Sequence, residues 1–165
     1  MPKPIKRLVA LRPLSREHHH GLLLCWKIKT GLKNHVEPAR IKRYADWFFE
    51  NHLTVHFEIE ENQLFPILGT DNLLVQQAVF EHRRIEELFR STDNLPVILE
   101  LMASELDHHI RFEERVLFNE IQNKASEAEL QLLEEIHREV PDSDQWDDKF
   151  WEQPNTSQDT KTLDA

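Results

Sequence analysis

Two glutamates follow a histidine at the spacing of one helical turn, on faces that are otherwise apolar. The pairs are His56 with Glu60 and His109 with Glu113. Residues four positions apart share one face of a helix, so each pair presents an imidazole and a carboxylate together. A buried carboxylate is costly unless a cation or hydrogen bond compensates it, and both groups are metal ligands. The pairs therefore predict a metal site among helices.

The neighbours of the histidines favour burial over a solvated ion pair. Leu106 and Phe112 flank His109 at helical spacing. Val79 lies three positions before His82, on a similar apolar stripe. Such stripes face the core of a helical protein, so we expect these imidazoles to point inward.

The chain also contains an internal repeat. "HFEIEENQLF" (56–65) aligns without gaps with "HIRFEERVLF" (109–118), and the two share H, E, E, L and F. The preceding helix of each copy carries a Glu-His pair, at Glu17–His18 and at Glu81–His82. Histidine is uncommon, so composition explains the shared pattern poorly. We expect two helix hairpins related by pseudo-symmetry.

Each hairpin then supplies two imidazoles and one carboxylate at one level. Four imidazoles and two carboxylates are too many donors for a single tetrahedral zinc. They suit two octahedral metal ions, each held by two imidazoles and bridged by both carboxylates. Donors of this kind favour iron, ahead of manganese or zinc.

Three consecutive histidines begin the first helix, and they cannot all face inward. His18 aligns with His82 and shares its face with Cys25, so we predict that His18 is the ligand. His19 stays open as the alternative or as an additional group at the site, and His20 is predicted at the surface.

For four further histidines, the neighbouring residues do not point clearly to a metal ligand. His52 has apolar neighbours and is predicted to face inward, as a core histidine, a group beside the ligands or an extra ligand. His108 has polar neighbours and is predicted at the surface. His35 and His137 are predicted in a loop and at the surface.

The composition excludes several classes of protein. The chain has 165 residues, a net charge of −10, three glycines and one cysteine. An acidic chain is a poor partner for nucleic acid, and a single cysteine fits a reducing compartment. Nothing resembles a signal peptide, and the longest apolar run, 22–26, is too short to cross a membrane. We therefore expect a cytoplasmic protein of one domain, with no nucleic-acid or membrane partner.

The helical signals predict an all-α fold, an antiparallel up-and-down four-helix bundle with a short fifth helix and an acidic tail. Ser15 and Asp71 are the expected N-caps of the first and third helices, and Ser126 with Glu129 forms a capping box before the fifth. The expected divisions are an irregular arm, the bundle and the tail, at 1–14, 15–140 and 141–165. The expected long helices are 15–33, 38–64, a third ending near 90, and 96–123, followed by a short one over 126–139.

The tail contains three large aromatic residues, Trp146, Phe150 and Trp151. These could dock on the bundle or on a partner, while a disordered acidic tail is an equal alternative.

Taken in order, "SREHHHGL", "HFEIEENQLFP", "EHRRIEELF" and "HIRFEERVLF" resemble the hemerythrin-like HHE cation-binding domain over roughly residues 14–122. The resemblance implies an up-and-down four-helix bundle that holds a non-haem di-iron site. It also implies Glu60 and Glu113 as bridging carboxylates. The ligands implied by position are His18, His56, Glu60, His82, His109 and Glu113.

The chain departs from the oxygen-carrying hemerythrins at two places. Glu86 stands where those proteins have a second histidine on the third helix, and it is an extra candidate ligand. The last helix has Glu113 four residues after His109, where they have an aspartate five residues on. The resemblance therefore implies binding or sensing of oxygen or nitric oxide, or iron handling, rather than bulk oxygen carriage. The physiological ligand and any protein partner stay open.

Three alternatives compete with this interpretation. A ferritin-like di-iron oxidoreductase or iron store would use Glu-x-x-His pairs, which occur at Glu105 with His108 and at Glu134 with His137. A metal-free interaction module would explain the helices but would leave two glutamates buried. Catalysis at an open metal position is also left open, with Cys25 two turns after His18 as a nearby thiol.

Overall fold

The computed structural model describes residues 6–136 and 146–152, and its regular structure within those ranges is entirely helical. The helical residues form five continuous runs, 9–33, 38–67, 73–90, 95–124 and 127–136. The connections between these runs are two to five residues long, which keeps consecutive helices side by side. No helix in the described ranges is long and apolar enough to span a membrane.

Two of the runs contain turns of π-helix. The π-helical segments are Phe49–Leu53, Glu60–Leu64 and Glu113–Leu117. The last two begin at the two glutamates of the predicted metal site, and such wider turns are frequent at functional sites. The α-helices are α1 Arg12–Lys33, α2 Pro38–Phe48, α3 Thr54–Ile59, α4 Leu73–Arg90, α5 Leu95–Phe112, α6 Phe118–Lys124 and α7 Glu127–Ile136.

The first helix begins earlier than predicted. A 3₁₀ turn, Val9–Leu11, leads directly into α1 at Arg12, so Ser15 lies inside the helix and is not its N-cap. Leu11 and Leu14 are fully buried, and this apolar anchoring makes residues 9–14 helical rather than an irregular arm. Pro13 falls in the first turn, where its missing N–H costs nothing.

The cap of α4 is Asn72, not Asp71. The Asn72 side-chain oxygen accepts hydrogen bonds from the backbone N–H groups of Leu74 at 2.9 Å and Val75 at 3.3 Å. The predicted capping box before α7 is confirmed. The Ser126 hydroxyl accepts from the Glu129 N–H at 3.1 Å, and the Glu129 carboxylate accepts from the Ser126 N–H at 3.0 Å.

The core consists of two apolar clusters. One surrounds Leu24, Ile28 and Tyr44, and the other surrounds Leu14 and Phe118. On α1, His18 lies between Leu14 of one cluster and Leu24 of the other. The predicted metal ligands therefore form a polar layer between two apolar ones.

The C-terminal strap, residues 146–152, closes over α1 and α2. Phe150 is 2% exposed, and its ring lies 5.6 Å from the ring of Tyr44. Trp146 and Trp151 contact the same tyrosine, and Arg40 binds Asp148 at 2.7 and 2.5 Å. The docking hypothesis is thus confirmed for these residues, and the disordered-tail alternative is wrong for them. The rest of the tail lies outside the described residues.

Candidate metal centre

The structure brings the six predicted ligands together and buries all of them. None is more than 4% exposed. The residues form two groups, each with ligand atoms within 4.8 Å of one another, and each group could hold a metal ion. Site A consists of His18, His56 and Glu60, and site B consists of Glu60, His82, His109 and Glu113.

Glu60 belongs to both sites. Its Oε1 lies 3.2 Å from Nε2 of His18 and 2.7 Å from Nε2 of His56. Its Oε2 lies 3.0 Å from Nε2 of His82. One carboxylate therefore spans the two sites, as expected of a bridge.

Glu113 contacts the imidazoles of site B. Its Oε1 is in close contact with Nε2 of His109 and lies 3.6 Å from Nε2 of His82. A second bridge through Glu113 stays a prediction.

The other nitrogen of each imidazole faces a carboxylate from a different helical run. Nδ1 of His18 lies 2.7 Å from Glu114, and Nδ1 of His82 lies 2.9 Å from Glu61. The corresponding partners are Glu17 for His56 at 2.6 Å and Glu81 for His109 at 2.9 Å. A carboxylate at Nδ1 holds the proton there, which directs the Nε2 lone pair toward the centre.

The roles of these four carboxylates were not predicted from the sequence, although the repeat contained a signal for them. Glu17 and Glu81 precede equivalent histidines, while Glu61 and Glu114 follow equivalent glutamates. Their equivalence in the sequence matches their equivalence in space.

The last shared residue of the repeat also has a role. Phe118 stacks on His18 with 5.0 Å between ring centroids, and Phe65 stacks on His82 at 5.6 Å. Phe57 lies even closer to His82, at 3.8 Å. Apolar rings thus cover His18 and His82, and both imidazoles are buried.

Several buried atoms at the centre have no hydrogen-bond partner among the described residues. They include Nε2 of three imidazoles and three carboxylate oxygens, although these atoms approach one another closely. Buried polar groups are nearly always satisfied, and each exception calls for an explanation. The atoms are His56 Nε2, His82 Nε2, His109 Nε2, Glu60 Oε2, Glu113 Oε1 and Glu113 Oε2.

The electrostatics favour positive charge at this place. Burial lowers the pKa of all four imidazoles, but the surrounding carboxylates raise it by more, so each pKa lies above its ordinary value. For His56 the result is a pKa of about 10. Burial raises the pKa of Glu114, but the hydrogen bond with His18 and the charge of His18 lower it by more. The resulting pKa is about 2. A proton or a metal ion would supply the charge that these groups favour.

Two of the carboxylates are in turn bound by arginines. Arg7 donates to Glu114 at 2.9 Å, and Arg83 donates to Glu61 at 2.7 and 2.8 Å. Glu86 belongs to neither metal group. Its carboxylate instead forms an ion pair with the exposed Arg83 at 2.7 Å.

Other histidines lie away from the centre. His19 is exposed, and His20 is half-buried. The expectation that His52 faces inward is wrong. His52 is exposed and packs against Trp47 and Phe48, on the outside of the π-helical segment Phe49–Leu53.

The remaining predictions concern surface positions. His108 is 74% exposed as predicted, and it lines a surface groove of about 370 Å³. His35 lies in the loop after α1 with a positive φ of 56°, and His137 lies outside the described residues.

Cys25 is buried in the apolar core, where burial raises the pKa of its thiol to about 12, and it belongs to neither metal group.

The glutamates of the two ferritin-like pairs are not at the centre. Glu105 pairs with Arg84 at 3.2 Å on the outer face of the molecule. Glu134 is exposed on α7. Neither belongs to a group that could hold a metal among the described residues.

Comparisons with family models, with curated proteins and with solved structures give no match for this chain. Within the described residues the protein is all-helical, and buried histidine and glutamate groups in it could hold a metal ion.

Proposed function

We propose that this protein is a hemerythrin-like four-helix bundle that binds two non-haem iron ions. Its role is to bind or sense a small ligand such as oxygen or nitric oxide, or to handle iron. The observation that supports this best is the set of buried, unpartnered imidazole nitrogens and carboxylate oxygens in one layer. A cation satisfies both kinds of atom at once.

The charges of the centre support two ions rather than one. Six carboxylates contact the four imidazoles, and two of these carboxylates pair with Arg7 and Arg83. Where metal ions take the place of protons at Nε2, the imidazoles are neutral and four negative charges remain, which two divalent cations would neutralise. The six carboxylates are Glu17, Glu60, Glu61, Glu81, Glu113 and Glu114.

The donor set supports iron. Imidazole nitrogens with carboxylate oxygens are ligands of non-haem iron, and no thiolate is present among the donors. Bound iron would supply redox chemistry and an open position for a small ligand. The chain holds the metal ligands in place through the four Nδ1 contacts, and the stacked Phe57, Phe65 and Phe118 exclude water and larger molecules.

The antiparallel arrangement of the four long runs is part of the same proposal. The repeat puts equivalent residues on the second and fourth runs and on the first and third. Short connections between the runs suit antiparallel neighbours.

The first test is the metal content of untagged protein, measured by elemental mass spectrometry. We expect about two iron ions per chain. Zinc or manganese alone would keep the site but remove the redox role, and no metal after anaerobic iron loading would contradict the proposal.

Chelation tests the metal-free alternative. Removing metal should lower the melting temperature, because an ion at a hundred times its dissociation constant stabilises the folded state by about 2.7 kcal/mol. A metal-free module would melt at the same temperature with and without the chelator.

A further inference from the structure

The two metal sites differ in the number of residues that could hold an ion. Site A has three, His18, His56 and Glu60, whereas site B has four. Both draw on the same carboxylate of Glu60. While Glu113 contacts only the imidazoles of site B, an ion in site A has one protein ligand fewer, and we expect it to be held less tightly.

The sites also differ in how their histidines are held in place. In site B, Arg83 binds Glu61, which binds Nδ1 of His82 at 2.9 Å. Arg83 is the next residue after His82 on α4, so the arginine and the imidazole have a common rigid support.

In site A the equivalent arginine comes from outside the helices. Arg7 lies before the first helical turn, Val9–Leu11. Its Nη2 donates to the Glu114 carbonyl at 2.7 Å and to the Glu114 carboxylate at 2.9 Å. Its guanidinium also lies 5.3 Å from the centre of the Phe118 ring, which stacks on His18. Arg7 thus contacts both groups that fix the orientation of His18.

The segment that carries Arg7, residues 6–8, is attached through side chains. The Leu8 N–H donates to Gln122 at 2.7 Å, and Gln122 donates to the Lys6 carbonyl at 3.3 Å. Arg7 also reaches Asn119 at 3.4 Å. The Arg7 side chain is only 10% exposed, whereas that of Arg83 is 51% exposed. Water therefore screens the Arg83 pair more than the Arg7 pair.

We propose that site A is the exchangeable metal site and that Arg7 is its positioning residue, acting on His18 through Glu114. The inference rests on the proposed two-metal function. Without the Arg7 guanidinium, Glu114 and Phe118 would lose the same contact together, and His18 would be held less firmly in its orientation. Site B has no such dependence, because its arginine belongs to α4.

The experiment follows ion release from the full chain loaded with two Co²⁺ ions, using a chromogenic chelator. The wild-type protein should release its ions in two phases. Groups behind a metal-bound histidine change metal affinity by about 10- to 100-fold. We therefore expect Arg7→Gln to accelerate the fast phase about tenfold and to leave the slow phase unchanged.

Arg83→Gln is the matched control, because it removes the equivalent contact at site B. It should leave the fast phase as it is. The Co²⁺ absorption that disappears in the fast phase should be altered in Arg7→Gln and not in Arg83→Gln. Arg7→Lys, which keeps the charge, should restore part of the wild-type rate.

Equal sensitivity to both arginines, or release in a single phase, would overturn the assignment. If Arg7→Gln is poorly folded by circular dichroism, Glu114→Ala and Glu61→Ala make the same comparison with the same expected difference. A chain that takes up no more than one ion refutes the two-metal function itself, so the two failures are distinguishable.

Discussion

Glu60 lies within 3.2 Å of three imidazole nitrogens, those of His18, His56 and His82. A fully buried carboxylate in this position needs positive charge on its neighbours, either as protons or as metal ions. Because its two oxygens face different sites, Glu60 is the residue on which both sites depend.

Glu60→Gln should therefore reduce the metal content from about two ions per chain to about one or fewer. The amide keeps the size of the side chain but removes the negative charge that both sites use. The measurement is elemental mass spectrometry on folded, untagged protein.

Glu105→Gln is the control for that variant, because Glu105 belongs to the ferritin-like pair and binds Arg84 at the surface. It should keep the full metal content. Loss of metal in Glu105→Gln with retention in Glu60→Gln would support the ferritin-like alternative instead.

The helices hold these residues through local features as well as through packing. The π-helical segments start at Glu60 and Glu113, and each ends at a fully buried leucine, Leu64 or Leu117. A π turn contains an extra residue, which changes the faces that later residues present. Glu60 can thus face the centre while Glu61 reaches His82 on α4.

The start of α4 offers a test at a single cap. Asn72→Ala should lower the free energy of unfolding by about 1 kcal/mol, because two backbone N–H groups lose their acceptor. Chemical denaturation measures the change. Asp71→Ala should leave stability unchanged, and a larger effect at Asp71 than at Asn72 would show that the cap lies one residue earlier.

The molecule as a whole is closed by the C-terminal strap. A Cβ added at Gly31 would lie 2.9 Å from both the Phe150 ring and Ile41, so the absence of a side chain on α1 makes room for the strap. Lys27 is buried beneath it, with its Nζ 3.9 Å from the centre of the Trp151 ring and 2.9 Å from the Tyr44 hydroxyl. The cation and the surrounding aromatic rings stabilise each other.

Phe150→Ala should lower the free energy of unfolding by about 3 kcal/mol, because a buried aromatic side chain is lost from the core. Phe80→Ala is the matched control, since Phe80 is 71% exposed and should have a small effect. Urea denaturation followed by tryptophan fluorescence measures both. An effect of Phe150→Ala as small as that of Phe80→Ala would mean that burial of Phe150 contributes little to stability.

Helix positions and candidate ligands were predictable because both depend on local spacing. The spacing of His109 and Glu113 places them on one helix face whatever the rest of the chain does, and the internal repeat identified the equivalent pair at His56 and Glu60. The alignment of His18 with His82 selected the buried histidine among three consecutive ones.

Contacts between helices were decided by the tertiary structure. Glu114 meets His18 across 96 positions of the chain, and local spacing contains no information about that pairing. For the same reason the sequence did not predict that His52, which has apolar neighbours along the chain, is exposed. The docking of Phe150 required a partner surface on α1 and α2 that exists only after those helices have packed.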